Sequence, residues 1–578
     1  MRRDEMSSDT IRLTLGDWQW NAAIIGFINI VGQENVRFVG EDAVEFSVKI
    51  LDGFEDRYFS CMIQAYEKTL SWYKIVSFKD KLYAYEENSF EGFDLKALQG
   101  LNTYIKDVKR YIKSNSYKAA YELIGLDVDM LSLEKQLLTS KEPKSQQQFD
   151  LNKNGIIAEV KESFTILRQI IDYCDCAQSK RYIGAKNVIY TVIKNAWNGV
   201  SFLNAQSKEK DVYVDYKTYF VDTVTDYRMS NESKYKYNCV VCDAPIKNMS
   251  SDLSFLNATG FDVARKSSHV WDFQNDIAIC PVCKLIYSCL SAGMTYVYDR
   301  GIYVNANIRL KDALNINFRI RQDFLRSNER GMRSIYHALV GALHEKENNT
   351  AKYELADVQV VRYENETYRF NILSRKMLEI IVASEQELNS LIKTGFSENG
   401  VSIQIYDEVI ARIFNNRNLF TLIHRMLYYK LSDSSKCYFN GAHVNHLLKI
   451  NQRIYLSLGG MKMEKTKEQE QENSDLVRYA RAAGYHLRGR YVNKGSDNKL
   501  TGICYRLLNA LKTSNTDMFM DVTLNCYLYV NCQVPKIITD VLGKEKSFST
   551  MGYAFISGLI DGNDTNGSLE KKAKGEEQ

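Results

Sequence analysis

Cys239-Val-Val-Cys242 and Cys280-Pro-Val-Cys283 are two C-x-x-C knuckles, and the reading of the whole chain turns on them. Such a knuckle presents two sulfurs from one tight turn, and two knuckles complete a tetrahedral thiolate set for Zn²⁺. Cys242 and Cys280 are separated by 37 residues. That is more than the usual roughly 15–20, so the expected zinc ribbon carries an inserted excursion. Four thiolates leave no open coordination position, which makes a structural Zn²⁺ the expected cofactor rather than one that activates water. His269 lies inside the excursion as an alternative ligand. Cys289 falls in the apolar helical pattern Leu285, Ile286, Cys289, Leu290 and reads as a packing thiol. Cys174 and Cys176 form a C-x-C with no matching pair.

Around this module the chain is long and ordinary in composition. Its 578 residues exceed one hydrophobic core, and 45% hydrophobic with 25% charged residues rules out a mostly disordered protein. Only 4 prolines occur, which suits long helices and sheets. The net charge of +4 is nearly neutral, so a nucleic-acid partner must be sought in local clusters. The charge-free apolar stretch Leu285–Tyr298 has 14 residues, short of a membrane span of roughly 18–20. Arg2 and Arg3 precede Asp4, Glu5, Asp9 and Asp17 with no small-residue cleavage site, unlike a signal peptide. A cytoplasmic location is expected, with the 12 cysteines as reduced thiols or metal ligands.

Periodicity divides the chain into a mixed part and a helical part. Apolar helical patterns cover Leu13–Val31, Arg57–Val76, Gly100–Leu123, Ile156–Cys174 and Ala185–Asn204. Val36–Phe38 and Val44–Ile50 alternate around Gly40-Glu41-Asp42 as a hairpin. Asp211–Tyr227, rich in Val, Thr and Tyr, reads as β-prone. Gly301–Asn307 and Val358–Leu373 read as strands, the second with a turn at Glu364-Asn365-Glu366. After Ser374 strand signals nearly vanish, and helices are expected over Met377–Thr394, Tyr406–Leu431, His443–Leu458, Leu476–Tyr491, Leu500–Lys512 and Met518–Asn531. Ser140–Gln148 reads as a linker, and Met461–Ser474 as a linker or frayed helix start. The expected class is α+β: a mixed α/β N-terminal domain (1–234), a zinc-ribbon insertion (235–290) and the remainder of the α/β domain (291–374). A helical connector (375–460), a C-terminal helical bundle (461–560) and a disordered tail (561–578) complete it.

Catalytic signatures are missing. The seven histidines form no H-E-x-x-H, and neither a nucleophile elbow nor a P-loop occurs. His443 and His446 share a helix face, but two ligands alone make a poor metal site. The expectation is a binding protein and not an enzyme. The alternative is a metal-dependent nuclease acting on DNA or RNA through scattered carboxylates.

Two stretches depart from neutrality. Arg300–Arg333 holds eight basic and three acidic residues, Arg319 and Arg321 among the basic ones, interleaved with Tyr303, Phe318 and Phe324. Leu476–Asn515 sets Arg478, Arg481, Arg488, Arg490, Lys494, Lys499, Arg506 and Lys512 against Asp497. On a helix Arg478, Arg481, Tyr485 and Arg488 fall within about 80° of each other, opposite Leu476, Ala480, Ala483 and Leu487. Guanidinium forks suit phosphate and a ring suits a base. Lys180, Arg181 and Lys186 form a smaller cluster around Tyr182.

Together with the knuckles, the segments WQWNAAIIGFINI (18–30), KRYIGAKNVIY (180–190), WNGVSFLN (197–204), ICPVCKLIY (279–287) and FSTMGYAFISGLI (548–560) make the chain resemble a known family. That family is the large subunit of the type I-B CRISPR interference complex (Cascade), part of antiviral defence. The resemblance implies a non-catalytic subunit of an RNA-guided surveillance complex. Such a subunit recognises the short target-flanking motif (PAM) in double-stranded DNA and sits near the 5′ handle of the guide RNA. It helps open the duplex and recruits the helicase-nuclease. Its implied partners are guide RNA, target DNA, the backbone, handle-binding and small subunits of the complex, and the helicase-nuclease, with no membrane. The C-terminal part is implied to mimic the small subunit, which in the family can also be made as a separate product. Gly459-Gly460 before Met461-Lys462-Met463 reads equally as a start for such a product or as an ordinary helix end.

Overall fold

A computed structural model describes residues 9–259, 277–297, 300–306, 309–326, 358–364, 366–373, 375–458, 463–540 and 545–561. The expected alternative ligand His269, the start region Gly459–Lys462 and the tail from residue 562 lie outside these, as do Arg330 and Arg333 of the first basic stretch. Contacts divide the chain into two units. One comprises Met1–Arg326 with Val360–Phe370, the other Ser327–Gln359 with Asn371–Gln578.

The first unit is built around one buried helix. Asp17 accepts hydrogen bonds from the Gln19 and Trp20 amides and so starts α1 (Trp18–Val31), whose residues are buried on almost every side. A helix apolar all round belongs inside a core. Against it lies an antiparallel sheet of β1 (Thr10–Thr14), β2 (Arg37–Val39) and β3 (Ala43–Ser47), in the order β1-β3-β2. The expected hairpin is present, with Arg37 opposite Glu45 and Phe38 opposite Val44. The expected N-terminal helix is shorter than its apolar pattern because Leu13 belongs to β1, paired with Val44. α2 (Phe54–Tyr66) completes this core.

A second core gathers α3 (Leu95–Ile112) and α4 (Lys153–Asp175) around Trp72, Phe90, Phe149 and Phe164. Ser140–Gln148 joins them and is no free linker. Ser140 is buried, Asn102 donates to its carbonyl at 2.8 Å, and its amide donates back to Asn102 at 3.1 Å. From Ser145 onward the segment caps and enters a helix, Gln146–Leu151. α5 (Ala177–Val188) follows.

The β-prone reading of Asp211–Tyr227 is corrected. The segment is helical over Val212–Tyr216 and Asp222–Met229, with a π-helical turn at Lys217–Val221 between them. Tyr213, Tyr216, Phe220, Val224 and Tyr227 recur every three or four residues and are all buried. Burial of that face outweighs the strand propensity of single residues. A four-stranded sheet, β6 (Thr295–Val297), β7 (Arg300–Ala306), β8 (Val358–Glu364) and β9 (Thr367–Leu373) in that order, agrees with the two expected strand regions.

Among its described residues from Arg375 onward, the second unit is helical apart from one small sheet. β10 (Gly395–Glu398) and β11 (Val401–Gln404) form a hairpin, and β12 (Cys437–Tyr438) pairs with β10. Asn399 and Gly400 turn the hairpin at φ +50° and +80°, a two-residue Asn-Gly turn whose twist matches its strands. Around it lie helices Arg375–Ala383, Glu385–Leu391, Ile405–Phe414, Phe420–Ser432 and Gly441–Leu458. Leu476–Tyr491 is part of a 31-residue helix, Met463–Asn493. Of the two readings of Met461–Ser474, linker or frayed helix start, Met463–Ser474 takes the helical one. The Glu, Lys and Gln that fill it are strong helix formers. Helices Leu500–Lys512, Thr516–Tyr529 and Glu545–Ile560 follow.

Backbones touch where Met463–Asn493 crosses Glu545–Ile560. A Cβ on Gly484 would lie 2.0 Å from the Phe555 oxygen, and one on Gly558 would lie 2.1 Å from the Arg481 oxygen. Gly484→Val should loosen this crossing and cost about 3 kcal/mol, read as a fall in the denaturation midpoint of the second unit. Among the described residues no helix is long and apolar enough to cross a membrane.

Candidate metal centre and basic face

The first knuckle is a hairpin turn. β4 (Tyr237–Asn238) and β5 (Pro245–Ile246) pair antiparallel. The Cys239 amide donates to the Ala244 carbonyl at 2.8 Å, and the Asp243 amide donates back to the Cys239 carbonyl at 2.8 Å. Asp243 takes φ +58°, a left-handed conformation that Asp tolerates better than most residues. The second knuckle is a helix start. Cys280 caps the helix Pro281–Ser288, its sulfur accepting the Cys283 amide at 3.4 Å, with Pro281 in the first turn. Proline fits there because its missing N–H has no partner to lose. Val240 N–H donates to the Ala278 carbonyl at 2.9 Å and ties the knuckles together.

These turns bring all four sulfurs within 4.8 Å of one another, with Cys242 Sγ 3.6 Å from Cys280 Sγ. A tetrahedron of sulfurs around one ion at about 2.3 Å has an edge of about 3.8 Å. The set thus fits a single thiophilic ion, and it is too tight to enclose a multi-iron cluster. Cys239, Cys280 and Cys283 are buried and Cys242 is exposed. Hydrogen bonds from the Cys242, Cys280 and Cys283 thiols lower Cys239 far below the ordinary thiol range, while hydrogen bonding with Cys239, Cys242 and Cys280, together with burial, pushes Cys283 far above it. Four such groups cannot all ionise without a cation among them. Cys289 is not a ligand. It is fully buried, and its sulfur lies against the Leu285 carbonyl at 3.4 Å.

The helix of the second knuckle is keyed into the core of its unit. Ser288 accepts at its carbonyl from Trp197 Nε1 at 3.0 Å, and its hydroxyl lies 2.7 Å from Tyr216 OH. Tyr58 OH lies 2.8 Å from the Ser291 hydroxyl. Beyond it, helix Leu290–Gly293 meets α1 backbone to backbone. A Cβ on Gly26 would lie 1.9 Å from the Cys289 oxygen, and one on Gly293 would lie 1.7 Å from the Ala22 oxygen. Gly26, Trp197 and Ser288 were read in the sequence only as parts of patterns. Their roles depend on partners more than 90 residues away, as Trp197 is from Ser288.

The basic residues are divided by the structure. Arg321 is buried, with 6% exposure, and its guanidinium donates to the Ala292 carbonyl. It is a core donor, which corrects its place on a nucleic-acid surface. Arg319 and Phe318, on the same helix Leu310–Arg326, are exposed. Lys180 pairs with Glu67 at 3.2 Å over the Trp72 ring, and Arg181 pairs with Asp56 at 2.6 Å and stacks on Tyr213 at 3.8 Å. Lys186 is half-buried, and burial lowers its pKa.

On helix Met463–Asn493, Arg478, Tyr485 and Arg490 are exposed together with Tyr479 and His486. Tyr479 and His486 fall outside the arc of Arg478, Arg481, Tyr485 and Arg488 singled out in the sequence, and so were missed there. Arg478 stacks on Tyr479 at 4.7 Å and pairs with Asp475 at 3.1 Å. Arg488 instead donates to the Leu559 and Ile560 carbonyls at 2.9 and 3.3 Å. Arg481 sits beside Gly441 and Asp561. Lys494 and Lys499 lie over the exposed edge of the unit on Tyr529, 4.2 and 4.4 Å from its ring. The Ser496 hydroxyl and Lys499 ammonium, at 2.8 and 3.2 Å from the phenol, lower its pKa.

No curated protein and no solved structure matches the chain. Residues 232–295 match a family model described as CRISPR-associated protein (Cas_CXXC_CXXC). Both knuckles and the helix that docks on α1 fall inside this match, so the segment that builds the four-thiol centre is similar to that of a CRISPR-associated family.

Proposed function

We propose that this chain is the non-catalytic large subunit of a type I-B RNA-guided surveillance complex, holding a structural Zn²⁺ in its four-cysteine centre. The observation that carries the reading is the CRISPR-associated family match over the segment forming that centre. In this reading guide pairing identifies the target, and the chain recognises the flanking motif in duplex DNA near the guide's 5′ handle. It then aids duplex opening and recruits the helicase-nuclease. Cys239, Cys242, Cys280 and Cys283 would hold the zinc, which fixes the two knuckles to each other and leaves no site for a reacting water. Arg478, Tyr485 and Arg490, with Tyr479 and His486, offer phosphate forks and stacking rings to nucleic acid.

Two experiments test this. Purified chain with Mg²⁺ or Mn²⁺ and DNA should leave the DNA intact. Cleavage abolished by one Asp→Ala or Glu→Ala change would replace the reading with a metal-dependent nuclease. The variant Arg478→Ala/Arg490→Ala should weaken duplex binding without regard to sequence. It should also flatten the log K against log[salt] slope by about 0.9 per lost phosphate contact. An unchanged slope would make the face merely solvated.

A further inference from the structure

Cys242 is the only exposed one of the chain's 12 cysteines. It lies in the turn of the first knuckle, between the half-buried Val241 and the exposed Asp243, while Cys239, Cys280 and Cys283 are buried. Its Sγ lies 3.6 Å from the Cys280 Sγ on the other knuckle. A disulfide needs about 2.05 Å, so a movement of about 1.5 Å would join the two. The backbones are already held together beside this pair. Val240, two residues before Cys242, donates to the carbonyl of Ala278, two residues before Cys280.

Oxidation at sulfur follows thiolate character and access. A metal ligand is a thiolate at neutral pH, and Cys242 alone in the set adds access to that character. Cys61, Cys174 and Cys289 lie where burial raises their pKa, which keeps them as unreactive thiols. We propose that Cys242 is the entry point for a hydroperoxide, and that its oxidation links it to Cys280 and releases the metal. The proposal rests on the zinc reading of the four-cysteine centre. The Cys242 thiolate attacks the O–O bond of hydrogen peroxide and becomes a sulfenic acid, and hydroxide leaves. The Cys280 thiolate then attacks the Cys242 sulfur, forms the S–S bond and expels a second hydroxide. Two electrons pass from the two thiolates to the peroxide, and both hydroxides are protonated to water. Cys239 and Cys283, left as two ligands, take up protons and let the ion go. The new bond spans the same two knuckles that the ion joined, so a thiol reductant with Zn²⁺ restores the centre.

Hydrogen peroxide added to the purified full-length chain should release about one Zn²⁺ per chain, read with a chromogenic chelator. The same samples, denatured, should have lost two free thiols of the 12, and peptide mapping should find Cys242 linked to Cys280. Dithiothreitol with Zn²⁺ should reverse all three changes. Cys242→His keeps a zinc set of three cysteines and one histidine and removes the exposed thiolate. It should hold its metal at peroxide concentrations that empty the parent, whereas Cys289→Ser should respond as the parent does. Zinc retained by the parent under peroxide, or a disulfide that omits Cys242, overturns the proposal and leaves the zinc reading standing. Equal zinc loss from Cys242→His and the parent overturns it as well. Should Cys242→His fail to load zinc, the link mapped in the parent decides alone. A parent that purifies without zinc removes the zinc reading and this proposal with it.

Discussion

Cys283→Ser protein should leave purification without stoichiometric metal and with its first unit the least stable part of the chain. Cys283 is buried in the first turn of the second knuckle's helix, and its sulfur meets three other thiols. Serine cannot supply the thiolate, and three remaining sulfurs would hold the ion weakly. Structural zinc in small domains contributes on the order of 10–16 kcal/mol of apparent binding energy at neutral pH. That is comparable to the whole margin of an ordinary domain, roughly 5–15 kcal/mol. Elemental analysis and thermal melting check this, and a strong chelator should reproduce the effect on the parent. Because the ligands bind as thiolates, release should become easier as the pH falls. Cys289→Ser, which alters a buried sulfur outside the set, should keep the metal. Full metal content in Cys283→Ser would show that the four sulfurs are not its ligands.

Gly26→Val should be comparably damaging without touching any sulfur. Its Cβ would fall 1.9 Å from the Cys289 carbonyl oxygen, and Gly293 faces Ala22 in the same way. Overpacking costs about 1–3 kcal/mol where side chains can yield, and here the obstruction is backbone, so about 3 kcal/mol or more is expected. Gly100 and Gly155 lie in exposed helical positions with nothing within 4 Å of a Cβ. Alanine there should stabilise the chain by up to about 1 kcal/mol. Denaturant melts of the three variants check the contrast. Equal effects at all three sites would mean that helix propensity and not the crossing governs.

How far the sequence could be read follows from how local each signal is. The four clustered cysteines lie on two short turns, so spacing alone singled them out. The hairpin before Ala43–Ser47 and the long helices were equally visible as periodic patterns. Asp211–Tyr227 misled because its Val, Thr and Tyr favour strands one by one, while the face they bury recurs at helical spacing. The hairpin at Asn399-Gly400 carried a strong turn signal, masked by the helical patterns on either side. Arg321, Arg481 and Arg488 looked like surface charge because a charge run does not reveal carbonyls and carboxylates brought in from elsewhere. Ala292 for Arg321 and Leu559 for Arg488 are such partners, and Arg481 packs against Gly441. The knuckle at Cys239–Cys242 needs Ala278 to fix it, which spacing implied without naming.

The central claim is that this chain is a subunit of an RNA-guided complex, and co-purification tests it most directly. The tagged chain, expressed with the neighbouring reading frames and a guide array, should recover the backbone subunits and guide RNA as one particle. That particle should bind matched duplex DNA bearing the flanking motif far more tightly than the same duplex with the motif changed. A chain recovered alone, free of guide RNA and indifferent to the motif, would contradict the account.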